Sequence, residues 1–175
     1  GVSIREIERA IVRYGEPGRR SSVFRMRKKK KAAIFGSGLF PLFLAGELER
    51  KMYPATIYCQ EEDYEGYIAA AAAHLSEADR KNEAKRLKSM DLSFEFGCSL
   101  NFVFIREKME QADVICASEE IAQKLAPEEA ADTEIMLREQ AGIVSGPTQS
   151  VMDAAFAAKR AALTVDLLVQ NLSPH

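Results

Sequence analysis

The pattern of apolar and polar positions along the chain predicts helices and strands in alternation. Short apolar runs bounded by glycine or charged residues predict strands, whereas apolar residues three and four positions apart predict helices. The predicted strands cover residues 32–35, 55–59, 92–96 and 114–117, and the predicted helices cover residues 3–14, 39–51, 67–88, 102–109 and 147–172. Residues 60–65 and 142–146 are predicted to be turns or breaks, and residues 118–140 an acidic, partly helical segment. This order favours an α/β fold with a mostly parallel central sheet.

The segment from Lys31 to Thr56 carries the most specific pattern in the chain. An apolar run ends in Gly36-Ser37-Gly38, a helical stretch follows, and a second β-branched run begins at residue 55. In such a βαβ unit the first glycine permits the tight turn, and the second lets a pyrophosphate approach the backbone at a helix N-terminus. The spacing predicts a three-layer, Rossmann-like dinucleotide-binding domain at residues 31–175, preceded by a helix and a basic linker at residues 1–30.

Two positions depart from the dinucleotide-binding pattern. Pro41 stands where the third glycine is usual, and Cys59 stands where an acidic residue usually holds the adenosine ribose. A proline in the first turn of a helix lacks only an N–H that has no intrahelical partner, so we expect the helix to tolerate it. Glu61 and Glu62 follow closely enough to replace the missing carboxylate, although such a pair is also common in a solvated loop.

Composition places the chain among ordinary globular proteins. Its 175 residues, 47% hydrophobic and 29% charged, fit one domain. We expect no membrane association, because no apolar run approaches the length of a membrane helix and no apolar signal core stands near the N-terminus. Three widely spaced cysteines, none of them in a Cys-x-x-Cys motif, argue against a metal site and favour a reducing, cytoplasmic location.

Charge and histidine content exclude further classes of function. Residues 19–31 carry eight Lys or Arg and no acid, but neither interleaved aromatic residues nor a recognition helix accompanies them. We therefore interpret this run as a solvated linker and expect no nucleic-acid partner. His74 and His175 are the only histidines, on a charged helix and at the end of the sequence, so we assign no catalytic triad, no other catalytic residue and no metal ligand.

Taken together, these motifs resemble the flavin- and NADPH-dependent oxidoreductases typified by the small subunit of glutamate synthase. From Gly36 to Thr56 the spacing matches the family's glycine motif, helix and strand without a gap, and residues 143–147 and 151–162 are similar to its closing segment. The resemblance implies bound FAD, with contacts from the first turn, the end of the second strand, a backbone contact to adenine and the closing segment. The residues implied are Gly36, Ser37, Gly38, Leu39, Phe40, Cys59, Gln60, Glu61, Gly66, Leu100, Gly142 and Pro147.

The family's NADPH-binding domain and its N-terminal iron–sulfur cysteines have no counterpart here. The segment between Ser118 and Gly142 is too short for a βαβ-based domain, which needs a crossover of a dozen or more residues between each strand pair. The resemblance then implies a domain that binds FAD or another adenine dinucleotide and transfers electrons with a partner oxidoreductase subunit, or as a homo-oligomer. The alternative is a cofactor-free relative that serves as a protein-interaction or regulatory module.

Overall fold

The described residues form a five-stranded parallel sheet. The structure, a computed structural model, describes residues 27–118, 120–122, 144–146 and 151–171. The strands are β1 (Ala32–Phe35), β2 (Ala55–Tyr58), β3 (Ser93–Glu95), β4 (Val114–Ser118) and β5 (Val144–Gly146), in the spatial order β3-β2-β1-β4-β5. Every neighbouring pair is parallel, and the order reverses direction between β1 and β4. This is the doubly wound Rossmann-type topology, so the predicted fold class is confirmed.

Five helices accompany these strands in the described part of the chain. They are α1 (Leu39–Arg50), α2 (Tyr64–Ala71), α3 (Glu77–Ser89), α4 (Phe102–Met109) and α5 (Val151–Asn171). None of them is long and apolar enough to cross a membrane.

Alternation along the strands divides the core between the two faces of the sheet. On β1, Ala32 and Ile34 pack on one face, whereas Ala33 and Phe35 pack on the other. Helices α1, α2 and α5 cover the first face, and α4 covers the second through Ile105. Because both faces are covered, the strands are almost continuously apolar, as buried parallel strands are. The result is the three-layer arrangement that the sequence predicts.

Two predicted elements need correction. The single helix predicted over residues 67–88 is two helices: α2 begins earlier, with Asp63 as its N-cap, and Ser76 starts α3 by accepting a hydrogen bond from the Asp79 N–H. A side-chain cap of this kind fixes the residue at which a helix begins, so Ser76 separates α3 from α2. The break predicted at residues 142–146 contains β5, where Val144 pairs with Cys116. A three-residue edge strand has too few positions to show a hydrophobic period.

The remaining boundaries follow the predictions to within a few residues. The predicted helix at residues 3–14, most of the acidic segment at residues 118–140, and the predicted site residues Gly142 and Pro147 lie outside the described residues. Residues 27–31 are described, and they lie against the domain: the Lys28 backbone N–H donates to the Met52 carbonyl at 2.8 Å.

Candidate functional site

Most of the predicted site residues lie at the carboxyl edge of the sheet. In a parallel sheet all strands end at this edge, and ligands bind where the strand order reverses. Residues 36–40 follow β1, residues 59–61 follow β2, Leu100 follows β3, and Ser118 ends β4. The fold therefore gathers these segments where a ligand of an α/β domain is expected.

The turn between β1 and α1 requires its two glycines. Gly36 has φ +114° and Gly38 has φ +103°, in the region that L side chains rarely adopt. Gly38 is the N-cap of α1, and no side chain within the described ranges caps this helix. The first N–H groups of a helix have no intrahelical acceptor and carry the positive end of its dipole. The turn therefore leaves backbone N–H groups uncapped by any described side chain, and an anion could accept hydrogen bonds from them.

The side chains of the first turn of α1 pack inward. Leu39 and Phe40 are buried against the face of the sheet that α1 covers, so their backbone alone is available to a ligand. Pro41 is also buried, and α1 continues through it without a break. The prediction that the helix tolerates proline here is confirmed.

A hydrogen bond joins the glycine turn to the loop after β2. The half-buried Ser37 hydroxyl donates to Oε2 of Glu61, which lies three residues beyond the end of β2. Of the two carboxylates considered as replacements for the missing acidic residue, the structure brings Glu61 to the turn, whereas Glu62 is exposed. A carboxylate therefore stands between the first two strands at the carboxyl edge.

Cys59 occupies the usual position of that carboxylate but faces the core. It is fully buried; its N–H donates to the Glu95 carbonyl at 3.1 Å, and its own carbonyl accepts from the Cys98 N–H at 2.9 Å. Burial, with Glu61 nearby, raises the pKa of the Cys59 thiol to about 12. Burial likewise raises the pKa of Cys116 to about 12. Both thiols are therefore buried in the core, whereas Gln60 beside Cys59 is exposed.

Tyr67 fixes the glycine turn from the core side, which the sequence analysis missed. The Tyr67 hydroxyl donates to the Gly38 carbonyl at 2.9 Å, and the side chain is fully buried. Burial raises the pKa of this phenol well above its ordinary value, so the hydroxyl stays protonated and remains a donor. The available signal was a tyrosine at the start of an alanine-rich stretch, where a large polar-tipped side chain needs a partner.

Ser118 is the second residue missed by the sequence analysis. It is buried at the end of β4, and its Oγ lies against Gly36. A Cβ placed on Gly36 would lie 2.8 Å from Ser118 Cβ and 3.3 Å from Cγ1 of Ile121. Gly36 is therefore required by close packing as well as by its φ angle. The space beside it, between β1 and β4, is filled by these two side chains.

The other predicted site residues lie close to this edge but are engaged in packing. Gly66 is in the first turn of α2, where its N–H already donates to Asp63 at 2.8 Å. Leu100 is partly buried and packs against the core cluster on the face of the sheet that α4 covers. Across the described ranges, no group of three or more potential metal ligands comes together.

Comparisons with known proteins identify no family for the chain. No protein-family model matches it. No curated protein matches it. Among solved structures it is similar to an imine reductase from Myxococcus stipitatus, a V8 variant in complex with NAD+, with 12% identity, a TM-score of 0.35 and coverage of 82% of this chain. The similarity extends over 60% of that reductase. The fold assignment rests on strand order and register, and this likeness adds nothing to it.

Proposed function

We propose that the chain is an adenine-dinucleotide-binding domain. In this proposal the pyrophosphate lies at the N-terminus of α1 and the adenosine ribose lies at Glu61. The observation that carries the proposal is the hydrogen bond from Ser37 to Glu61. It means that a carboxylate reaches the glycine turn from the end of β2 although Cys59 has taken the usual acidic position.

The pyrophosphate half of the proposal rests on the N-terminus of α1. Gly38 has no side chain to obstruct a phosphate, and no described side chain occupies the helix end as a cap. Pro41 removes one N–H from the first turn, but those of Leu39 and Phe40 remain. Backbone donors and the helix dipole together favour an anion at this position.

The ribose half of the proposal rests on the charge of the loop after β2. Ribose hydroxyls donate hydrogen bonds, and Glu61 already accepts one from a hydroxyl group. Residues 59–66 carry four carboxylates, Glu61, Glu62, Asp63 and Glu65, and no Lys or Arg. A 2′-phosphate on the ribose would meet uncompensated negative charge there, so the site favours FAD or NAD over NADP.

We further propose that the dinucleotide is FAD and that the domain works with a partner oxidoreductase subunit. This step rests on the resemblance to the small subunit of glutamate synthase. Its structural support is helix α5, which follows β5 at the carboxyl edge of the sheet. The resemblance implies that a helix at this place faces the flavin ring. Bound flavin would supply the redox chemistry, and this chain would bind and orient it.

Titration of the purified protein with FAD, NAD+ and NADP+ tests the proposal. We expect FAD to bind, with flavin fluorescence quenched on binding and released on denaturation, and NADP+ to bind least. Glu61→Gln should weaken binding about ten- to hundredfold, because charge-assisted hydrogen bonds contribute roughly 1.5–3 kcal/mol. Glu62→Gln, one position further along the same loop, is the matched control and should change little. Failure of all three nucleotides to bind would refute the proposal.

A cofactor-free interaction module is the second candidate function. It is favoured by the contact of Ser118 and Ile121 with Gly36, which fills the space beside the turn. A protein that is colourless as purified and takes up no added FAD, yet recovers a specific subunit from cell extract, would support this second candidate instead.

A further inference from the structure

The loop after β2 is tied to the turn after β3 through their main chains. The Gly97 N–H donates to the Glu61 carbonyl at 2.7 Å, and the Cys98 N–H donates to the Cys59 carbonyl at 2.9 Å. The Cys59 N–H in turn donates to the Glu95 carbonyl at 3.1 Å. These bonds continue the pairing of β2 with β3 beyond the ends of both strands. The turn after β3 therefore holds the stretch of main chain that carries Glu61.

The turn after β3 contains a glycine that packing does not require. Gly97 has φ +66°, in the left-handed region that favours glycine, and a Cβ added to it would meet nothing within 4 Å. The backbone conformation alone therefore selects glycine at this position. Because the backbone angles of the turn set the direction of the Gly97 N–H, a residue that avoids positive φ would turn this donor away from the Glu61 carbonyl.

The main chain of Glu61 decides where its carboxylate lies when a ligand is bound. Glu61 lies in a loop, three residues beyond the end of β2, and its long side chain has several rotatable bonds that must be ordered. In the proposed complex a ribose takes the place of the Ser37 hydroxyl at this carboxylate. The hydrogen bond from Gly97 to the Glu61 carbonyl is a contact that remains.

We propose that Gly97 is a positioning residue for Glu61, and through Glu61 for the adenosine ribose. The ribose part of this inference rests on the proposed function. Gly97 itself makes no contact with the ligand in this proposal. Its N–H fixes the main chain of the loop in advance, so the carboxylate meets the ribose without a further cost of ordering. Replacement of the glycine should therefore weaken binding only while Glu61 is present.

A double-mutant cycle tests this dependence, with FAD as the probe. Gly97→Val places a β-branched residue, the kind least suited to positive φ, in the turn without a steric clash. It should weaken FAD binding about five- to tenfold by itself, but less than about twofold when Glu61→Gln is already present, because coupled residues are not additive. Equal losses in the two backgrounds would overturn the inference.

Two further variants separate positioning from a general loss of stability. Gly97→Asn should keep FAD affinity within about twofold of wild type, because asparagine tolerates the left-handed region. Met52→Val is the matched control, since Met52 has φ +67° at the amino edge and valine brings similar backbone strain to the opposite edge of the sheet. It should lower stability to urea and leave FAD affinity unchanged. An equal loss of affinity in Met52→Val and Gly97→Val would refute the positioning role.

A measurement without nucleotide tests the position of Glu61 separately from the proposed function. The carboxyl ¹³C resonance of Glu61 reports its hydrogen bond with Ser37, and Ser37→Ala gives the position of that resonance for a released carboxylate. Gly97→Val should move the resonance towards this position, whereas Met52→Val should not. An unchanged resonance in Gly97→Val would overturn the inference. A wild-type protein that binds no nucleotide would refute the proposed function, and the positioning of Glu61 would still be decided by this resonance.

Discussion

Two carboxylates at opposite edges of the sheet have contrasting surroundings. At the amino edge, Asp166 of α5 accepts hydrogen bonds from the Lys28 ammonium at 3.0 Å, the Tyr53 hydroxyl at 2.7 Å and the Lys51 ammonium. At the carboxyl edge, Glu61 accepts from the neutral hydroxyl of Ser37. One carboxylate is thus paired with two cations, whereas the hydrogen bond described for the other comes from a neutral group.

The two carboxylates therefore differ in role: Asp166 stabilises the fold, and Glu61 is the group that we propose binds a ribose. Burial alone would raise the pKa of Asp166, but hydrogen bonds from Lys51, Tyr53 and Lys28 overcome it and hold the pKa at about 2. These bonds connect the segment before β1, the end of α1 and helix α5, so they stabilise the domain. In the proposed complex Glu61 would exchange the Ser37 hydroxyl for a ribose hydroxyl, and the contacts of Asp166 would not change.

The largest expected effect concerns the turn that holds Ser37 beside Glu61. Gly36→Ala adds a Cβ that collides with Ser118 at a φ angle unsuited to alanine, and overpacking plus strain should cost roughly 3 kcal/mol of unfolding free energy. Gly97→Ala is the matched control, because Gly97 also has positive φ, +66°, but nothing lies within 4 Å of its added Cβ. It should cost about 1 kcal/mol. Urea denaturation of both variants measures the difference, and equal costs would contradict the packing argument.

The next largest effect concerns the amino edge. Because the folded pKa of Asp166, about 2, lies below its unfolded value of 3.8, its contribution is complete above roughly pH 4 and is lost as the pH falls through 2. Asp166→Asn should therefore lower the unfolding free energy at pH 7 by about 2 kcal/mol and flatten its decline below pH 4. Asp91→Asn, at an exposed carboxylate, should change stability by less than about 0.5 kcal/mol. A wild-type slope retained by Asp166→Asn would show that another group titrates.

A smaller effect is expected for the core side of the turn. Tyr67→Phe removes the hydrogen bond to the Gly38 carbonyl and leaves that oxygen without its donor. We expect a loss of about 1 kcal/mol in unfolding free energy, with the aromatic packing retained. Chemical denaturation measures it. An unchanged stability would mean that the turn is held by the glycine conformations alone.

The smallest expected effect on stability concerns Ser37, and it tests the comparison of Glu61 with Asp166 most directly. Ser37→Ala removes the only described hydroxyl bonded to Glu61, and we expect a change in stability below about 0.5 kcal/mol, because Glu61 is partly exposed to water. FAD affinity should rise about two- to fivefold, since the ribose no longer displaces a protein hydroxyl. A loss of affinity as large as that of Glu61→Gln would instead make Ser37 a ligand contact.

Local sequence determined the first half of the domain. Apolar runs and glycines placed β1, α1 and β2 close to their observed bounds, and the tolerance of α1 for Pro41 followed from helix geometry alone. The single long helix predicted over residues 67–88 was wrong because α2 ends at Ala71 and Ser76 caps a new helix, although the composition of the whole segment is helical. Residues able to cap a helix can be recognised in a sequence, but many similar residues in the same sequence cap no helix.

The sequence by itself predicted the fold class and the glycine turn, and it offered Glu61 and Glu62 as candidates for a replacement carboxylate, because each of these inferences depends on residues close together in the chain. Only the tertiary structure showed that Glu61, and not Glu62, bonds to Ser37, that Tyr67 reaches the Gly38 carbonyl, and that Ser118 lies against Gly36. The physical reason is that parallel strands bring together segments separated by a whole crossover. The contacts at their shared edge therefore depend on register and packing, which no local pattern specifies.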